Sequence, residues 1–255
     1  TTGQKMAKYT RILSLDGGGI RGIIPGQVVV SLENKLAQKT GNPGARVADY
    51  FDLIAGTSTG GILTCLYLVP DADGTTTQFS ATEAVDLYLK YGGDIFSRSL
   101  WQRVRSQFGL GDEKYSEKPL IESLSRFLDD RKLSELVKPC LITAYDIEER
   151  RATFFTQHDA AKNEDKDFPL MHVARSTSAA PTFFQVASAE SGAKSHHSLI
   201  DGGVFANNPS LCAYSEARKK LDSNPSAKDM VILSLGTGHV KEPYTYDKAK
   251  NWGAV

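Results

Sequence analysis

Cysteine is scarce in this chain: Cys65, Cys140 and Cys212 are the only three in 255 residues. Their number is odd and their spacing wide, which excludes a disulfide framework and the ligand spacing of a zinc site. Cys65 and Cys140 sit in apolar runs and read as buried free thiols, the pattern of a reducing compartment. Long apolar runs are also missing. None approaches the ~20 residues needed to cross a bilayer, and the polar start from Thr1 to Arg11 lacks the apolar centre of a secretory signal. The expectation is a cytoplasmic protein with at most peripheral membrane contact. Surplus charge is absent too, because 30 basic residues balance 30 acidic ones. No global field exists to hold nucleic acid or an anionic membrane, so attraction to a lipid surface must be local. Internal repeats and low-complexity segments are lacking as well.

Apolar residues make up 40% of the chain and charged residues 24%, enough apolar mass for one sizeable core. The pattern predicts a strand over 9–15, a helix from Pro25 to Gly41, and a strand over 51–55 running into a helix over 62–68. Further helices are expected over 81–91, 115–130, 170–178 and 209–221. A hairpin is expected around Glu148 to Arg151, and strands over 198–200 and 230–235. Strand and helix alternate for most of the length. The reading is a single domain over 1–255 with its core in about 9–240, an α/β fold arranged as a three-layer α/β/α sandwich with a mostly parallel central sheet.

Three segments at strand-to-loop boundaries carry chemistry. Gly56-Thr57-Ser58-Thr59-Gly60 is a G-x-S-x-G pattern between a strand and a helix. That setting lifts a serine hydroxyl clear at the head of a helix, as a nucleophile requires. Asp16-Gly17-Gly18-Gly19-Ile20-Arg21-Gly22 closes the first strand. Its consecutive glycines let main-chain N–H groups converge on one anion, either a phosphate or the oxyanion of a tetrahedral intermediate. Ile200-Asp201-Gly202-Gly203 ends a later strand and offers a carboxylate within reach of the serine.

Two alternatives stand beside an acyl hydrolase. Gly17, Gly19 and Gly22 also fit the dinucleotide fingerprint G-x-G-x-x-G, which would make the Gly17–Gly22 loop a nucleotide site. That fingerprint needs an acidic residue at the end of the next strand, where Gly56-Thr57-Ser58 stands instead, and Asp52 lies at that strand's beginning. The other alternative is a catalytically silent lipid-binding or storage protein. Among the histidines, His239 follows the last strand, and Ser58, Asp201 and His239 stand in the chain order of an α/β-hydrolase triad. His239→Ala should abolish turnover by a triad and spare a Ser58–Asp201 pair. The stretch 97–108 mixes Arg98, Arg103 and Arg105 with Leu100, Trp101, Val104 and Phe108, and reads as a small interfacial segment.

Taken together, the segments resemble the patatin-like lipid acyl hydrolases. The three motifs are joined in order by Ser178-Ala179-Ala180-Pro181-Thr182-Phe183-Phe184, Asn207-Asn208-Pro209 and Leu233-Ser234-Leu235-Gly236-Thr237-Gly238. The resemblance implies a three-layer fold and a Ser–Asp dyad without a catalytic histidine. By position, Ser58 would be the nucleophile, Asp201 the general base, and the amides of Gly17, Gly18 and Gly19 the oxyanion hole. Arg21 matches the basic position beside that loop. The implied partner is a phospholipid or other acyl lipid, with no nucleic acid and no metal or organic cofactor. A free aspartate has a pKa near 3.9, so the acid limb of kcat/KM is expected well below the ~6.5 of histidine.

Overall fold

Short apolar runs closed by polar turns become the parallel half of one mixed sheet. In the computed structural model the described residues are 9–95, 125–128, 131–221, 223–238 and 245–250. Strand β1 (Thr10–Leu15) pairs in parallel with β2 (Leu53–Thr57) on one side and with β7 (Met230–Leu235) on the other. β2 in turn pairs in parallel with β3 (Cys140–Asp146). The other half is antiparallel. β4 (Arg151–Phe155) returns on β3 through the expected hairpin, whose turn is fixed by Asp146 Oδ1 accepting from the amides of Glu148 and Glu149 at 3.0 Å each. β6 (His196–Asp201) pairs antiparallel with β3, and β5 (Ala187–Glu190) with β6.

Alternation along the buried strands separates two cores. Ile12, Leu53, Ala55 and Leu141 face the helix α5 (Ser210–Lys220), packing on its Ala213 and Ala217. Leu13, Leu15, Ile54, Ile142 and Ala144 face the other side. There lie α1 (Ile23–Thr40), α2 (Thr59–Leu68), α3 (Ala81–Ile95) and α4 (Leu170–Thr177). The result is the expected three-layer α/β/α architecture. All ten residues of α2 are buried, so it is apolar on every side and forms the inner pillar of its layer. Glu33 of α1 is buried as well, with its two oxygens accepting from the Val47 amide at 2.8 Å and the Ala81 amide at 2.7 Å. Each buried oxygen is thereby satisfied.

The register of β3 decides where the chemistry sits. β2 occupies one edge of β3 from Ile54↔Cys140 to Thr57↔Thr143. β6 pairs with β3 from Ala144↔Asp201 to Asp146↔Leu199. β4 already fills an edge over the whole stretch Ile142 to Asp146, so β2 and β6 must share the opposite edge, end to end. They run in opposite directions and their last residues meet. Asp201 therefore arrives opposite Ala144, directly beyond Thr57 opposite Thr143.

The helix expected over 115–130 is described only at 125–128, where it is helical and where Phe127 and Leu128 join the core. The stretch 97–108 and His239 lie outside the described residues. Among the described residues, no helix is long and apolar enough to cross a membrane.

Candidate active site

Ser58 is the single residue between the end of β2 and the start of α2. Its backbone sits at φ 54° and ψ −120°, a left-handed conformation that costs a non-glycine residue about 1–3 kcal/mol. Its surroundings hold it there. The Ser58 amide donates to Thr177 Oγ1 at the end of α4, at 2.9 Å. Its carbonyl accepts the first bond of α2, from Ile62 at 3.0 Å. Gly60 lets this turn press against the sheet, because a Cβ there would lie 2.2 Å from the Leu15 carbonyl oxygen.

The neighbour of Ser58 is anchored as firmly. Thr57 Oγ1 donates to the carbonyl of Ala206 at 2.7 Å and accepts from Thr143 Oγ1 at 2.8 Å. Ala206 belongs to the short helix Gly203–Ala206 that follows Asp201. The segment carrying the carboxylate is thus tied to the strand carrying the serine.

Asp201 is only 4% exposed. Its amide donates to the Ala179 carbonyl at 3.0 Å, and its Oδ1 accepts the Gly203 amide at 2.7 Å. The Ser58 side chain lies close enough to this carboxylate to favour its charged form. Burial disfavours the charged form, the Ser58 side chain and the Gly203 amide offset it only partly, and the pKa is pushed up to about 6. A buried aspartate near 6 titrates where a histidine would, so the position of the acid limb does not tell one from the other.

Four of the five histidines are described, and each is engaged elsewhere. His158 pairs with Glu216 at 2.8 Å, His196 with Glu190 at 3.2 Å and His197 with the buried Asp146 at 3.0 Å. His172 Nδ1 accepts the Glu190 amide at 3.3 Å.

The glycine loop lies against the serine, since a Cβ on Gly17 would fall 3.2 Å from Ser58 Cβ. Its three amides are not equivalent. The Gly17 N–H donates to the Asn207 carbonyl at 3.1 Å. A committed donor is not free for an oxyanion, which leaves Gly18 and Gly19 of the expected trio Gly17, Gly18 and Gly19 with uncommitted amides. The amides of those two donate to no other group among the described residues. Gly18 at φ 169° and Gly19 at φ 57° shape the turn into the helix that follows. Arg21 is exposed beside this loop, and its Nε reaches the Gly18 carbonyl at 3.5 Å. Tyr88 adds a further anchor, its hydroxyl donating to the Gly19 carbonyl at 2.5 Å.

Thr177, Asn207 and Thr237 escaped the reading of site residues. Asn207 and Thr237 lie within sequence runs already singled out, but nothing in those runs told what they touch. Thr177 precedes such a run by one residue and carried no signal. Among the described residues, one grouping could present three ligand atoms to an ion, His158, Asp159 and Glu216. Asp159 there is already bonded to Lys220 at 2.9 Å and Lys166 at 3.1 Å, which makes the group an ion-pair network.

Comparison with known proteins gives a coherent set. Residues 13–213 match a family model described as Patatin-like phospholipase. Patatin-like protein 3 of Arabidopsis thaliana is 36% identical over 96% of this chain and 63% of its own length. Patatin-like protein 2 of the same plant is 38% identical over 96% of this chain and 64% of its own. Patatin group J-1 of Solanum tuberosum is 34% identical over 100% of this chain and 68% of its own. The chain thus spans about two thirds of the length of the relatives it matches.

Proposed function

The chain belongs to the patatin-like phospholipase family, and from that premise we propose that it is a serine acyl hydrolase cleaving fatty acyl esters of phospholipids or related lipids. The observation that carries the reading is the register that brings the buried Asp201, at the end of β6, beside Ser58 at the end of β2, with the glycine loop packed against the serine. Asp201 takes the Ser58 proton as Oγ attacks the ester carbonyl. A carboxylate with a pKa of about 6 cannot ionise a free hydroxyl, so proton transfer and attack are concerted. The Gly18 and Gly19 amides receive the negative charge that gathers on the carbonyl oxygen. Asp201 passes its proton to the departing alcohol, a lysolipid where the substrate is a phospholipid, leaving an acyl-Ser58 ester. Water then gives its proton to Asp201 and attacks that ester, and the proton returns to Ser58 as the fatty acid leaves.

Contact with a lipid surface is transient and peripheral. Ile20 and Ile24, 36% and 46% exposed beside the glycine loop, offer apolar area there, and the neighbouring Arg21 offers a cation for a phosphate group. The free thiols of Cys65, Cys140 and Cys212 suit the reducing environment of the cytoplasm. A nucleotide site is disfavoured, since Asn207 consumes the first amide of the loop.

The test is release of fatty acid from phosphatidylcholine vesicles and from a soluble p-nitrophenyl ester. Both activities should disappear in Ser58→Ala. Hydrolysis that survives this substitution would overturn the reading.

A further inference from the structure

The peptide unit between Gly17 and Gly18 is held in an unusual way. Its carbonyl, on Gly17, accepts two side-chain donors, Thr237 Oγ1 at 3.0 Å and Asn207 Nδ2 at 3.3 Å. The main-chain carbonyl of the same Asn207 accepts the Gly17 N–H at 3.1 Å. Asn207 therefore grips Gly17 from both sides, while Thr237, buried and packed on Gly18, closes the grip from the end of β7.

A peptide bond is planar and trans, so the carbonyl of Gly17 and the N–H of Gly18 point in opposite directions. Fixing the first fixes the second. Without the two donors, a unit flanked by glycines has little steric barrier to rotation, and a rotated unit would turn its carbonyl oxygen toward the developing oxyanion. Donors on a carbonyl also polarise the N–H across the same bond and strengthen it as a donor.

The same grip sets a distance. Asn207 lies six residues after Asp201, and the intervening Ala206 carbonyl holds Thr57, the neighbour of Ser58. One short segment thus carries the base, anchors the nucleophile's strand and orients the oxyanion donor.

We infer that Asn207, assisted by Thr237, is the positioning residue of the oxyanion hole, acting through the Gly17–Gly18 peptide rather than by touching substrate. The inference rests on the acyl hydrolase reading above.

The test measures kcat and KM for a soluble p-nitrophenyl ester, with thermal melting, in Asn207→Ala, Thr237→Val, Thr237→Ser and Ser58→Ala. Thr237→Val keeps the shape and removes the donor, whereas Thr237→Ser keeps the donor. Orientation of one oxyanion donor predicts a kcat loss of roughly 100-fold in Asn207→Ala and about 10-fold in Thr237→Val, with KM within about threefold. Thr237→Ser should retain kcat near that of the unmodified protein. A purely structural role would instead lower the melting temperature and leave kcat of the folded fraction intact. That result, or a Thr237→Ser as slow as Thr237→Val, would overturn the inference. Should Asn207→Ala fail to fold, the Thr237 pair decides alone. Ser58→Ala separates the two levels: if it remains active the underlying reading fails, and if it is inactive while Asn207→Ala and Thr237→Val keep full kcat, only the positioning role fails.

Discussion

Asp201 and Asp159 are the same residue treated in opposite ways. Both lose solvent on folding, which pushes a carboxyl pKa upward. At Asp159 the hydrogen bonds and charges of Lys220 and Lys166 outweigh that loss and bring the pKa down to about 2. At Asp201 the groups that favour the charge are the Ser58 side chain and the Gly203 amide, neither of them cationic, and burial wins at about 6. In the proposed dyad, this contrast is what would make Asp201 the useful base. A lysine would have stabilised the charge and drained its basicity. Withholding one leaves Asp201 about a hundredfold more basic than a free aspartate, at a cost to the stability of the fold.

Removing the base is the most severe way to break this comparison. Asp201→Asn keeps the size and the Gly203 contact but cannot take a proton, and should lower kcat/KM by about 1,000-fold or more on a soluble ester. Asp159→Asn should leave the same rate unchanged. A comparable loss in both variants would mean that the distinction has no catalytic meaning. In the Ser–Asp account His239→Ala also retains turnover; if it proves inactive, a triad replaces the dyad.

The pH profile sharpens the contrast next. Asp201 must be ionised to act, so kcat/KM should fall tenfold per pH unit below about 6 and stay level from 7 to 8. A limb near 4 would mean that water or a cation reaches the carboxylate.

Stability provides a smaller effect, of opposite sign at the two aspartates. The folded protein binds the Asp201 proton more tightly than the unfolded chain. The charge therefore costs stability above about pH 6, and the cost vanishes as pH falls below about 4. Asp201→Asn should raise the unfolding free energy by up to about 3 kcal/mol at pH 8, by urea denaturation, with the gain shrinking towards pH 4. Asp159, whose pKa is lowered, contributes stability above about pH 4 that is lost as pH falls towards 2. Its lysine partners are 42% and 54% exposed, so solvent screening keeps the loss in Asp159→Asn at neutral pH below about 1 kcal/mol, less again in high salt. A destabilised Asp201→Asn, or a large loss at Asp159, would reverse the ranking.

The sequence made much of this legible because local chemistry governed it. The run over 230–235 and the helix ending at Gly41 were visible as strand and helix, and the turn Glu148 to Arg151 as a hairpin. β5 was not, since Ala187–Glu190 has too few apolar residues to announce a strand and is held by pairing with β6. The direction of β6 was hidden for the same reason: alternation reveals a strand but not which way it runs. Ser58, Asp201 and the glycine loop stood out because glycines beside a reactive residue are conspicuous. The commitment of the Gly17 amide could not be read, because its acceptor lies 190 positions away at Asn207. Nor could the pKa of Asp201, which depends on what is excluded around it.

The central claim is that a buried aspartate without a histidine drives Ser58. Its most direct test is the rate of covalent labelling by a fluorophosphonate, followed by intact and peptide mass spectrometry across pH. One adduct is expected, on Ser58, forming at a rate that follows a single ionisation near pH 6 and falls at least 100-fold in Asp201→Asn. An adduct on another residue, or an Asp201→Asn variant labelled as fast as the unmodified protein, would contradict it.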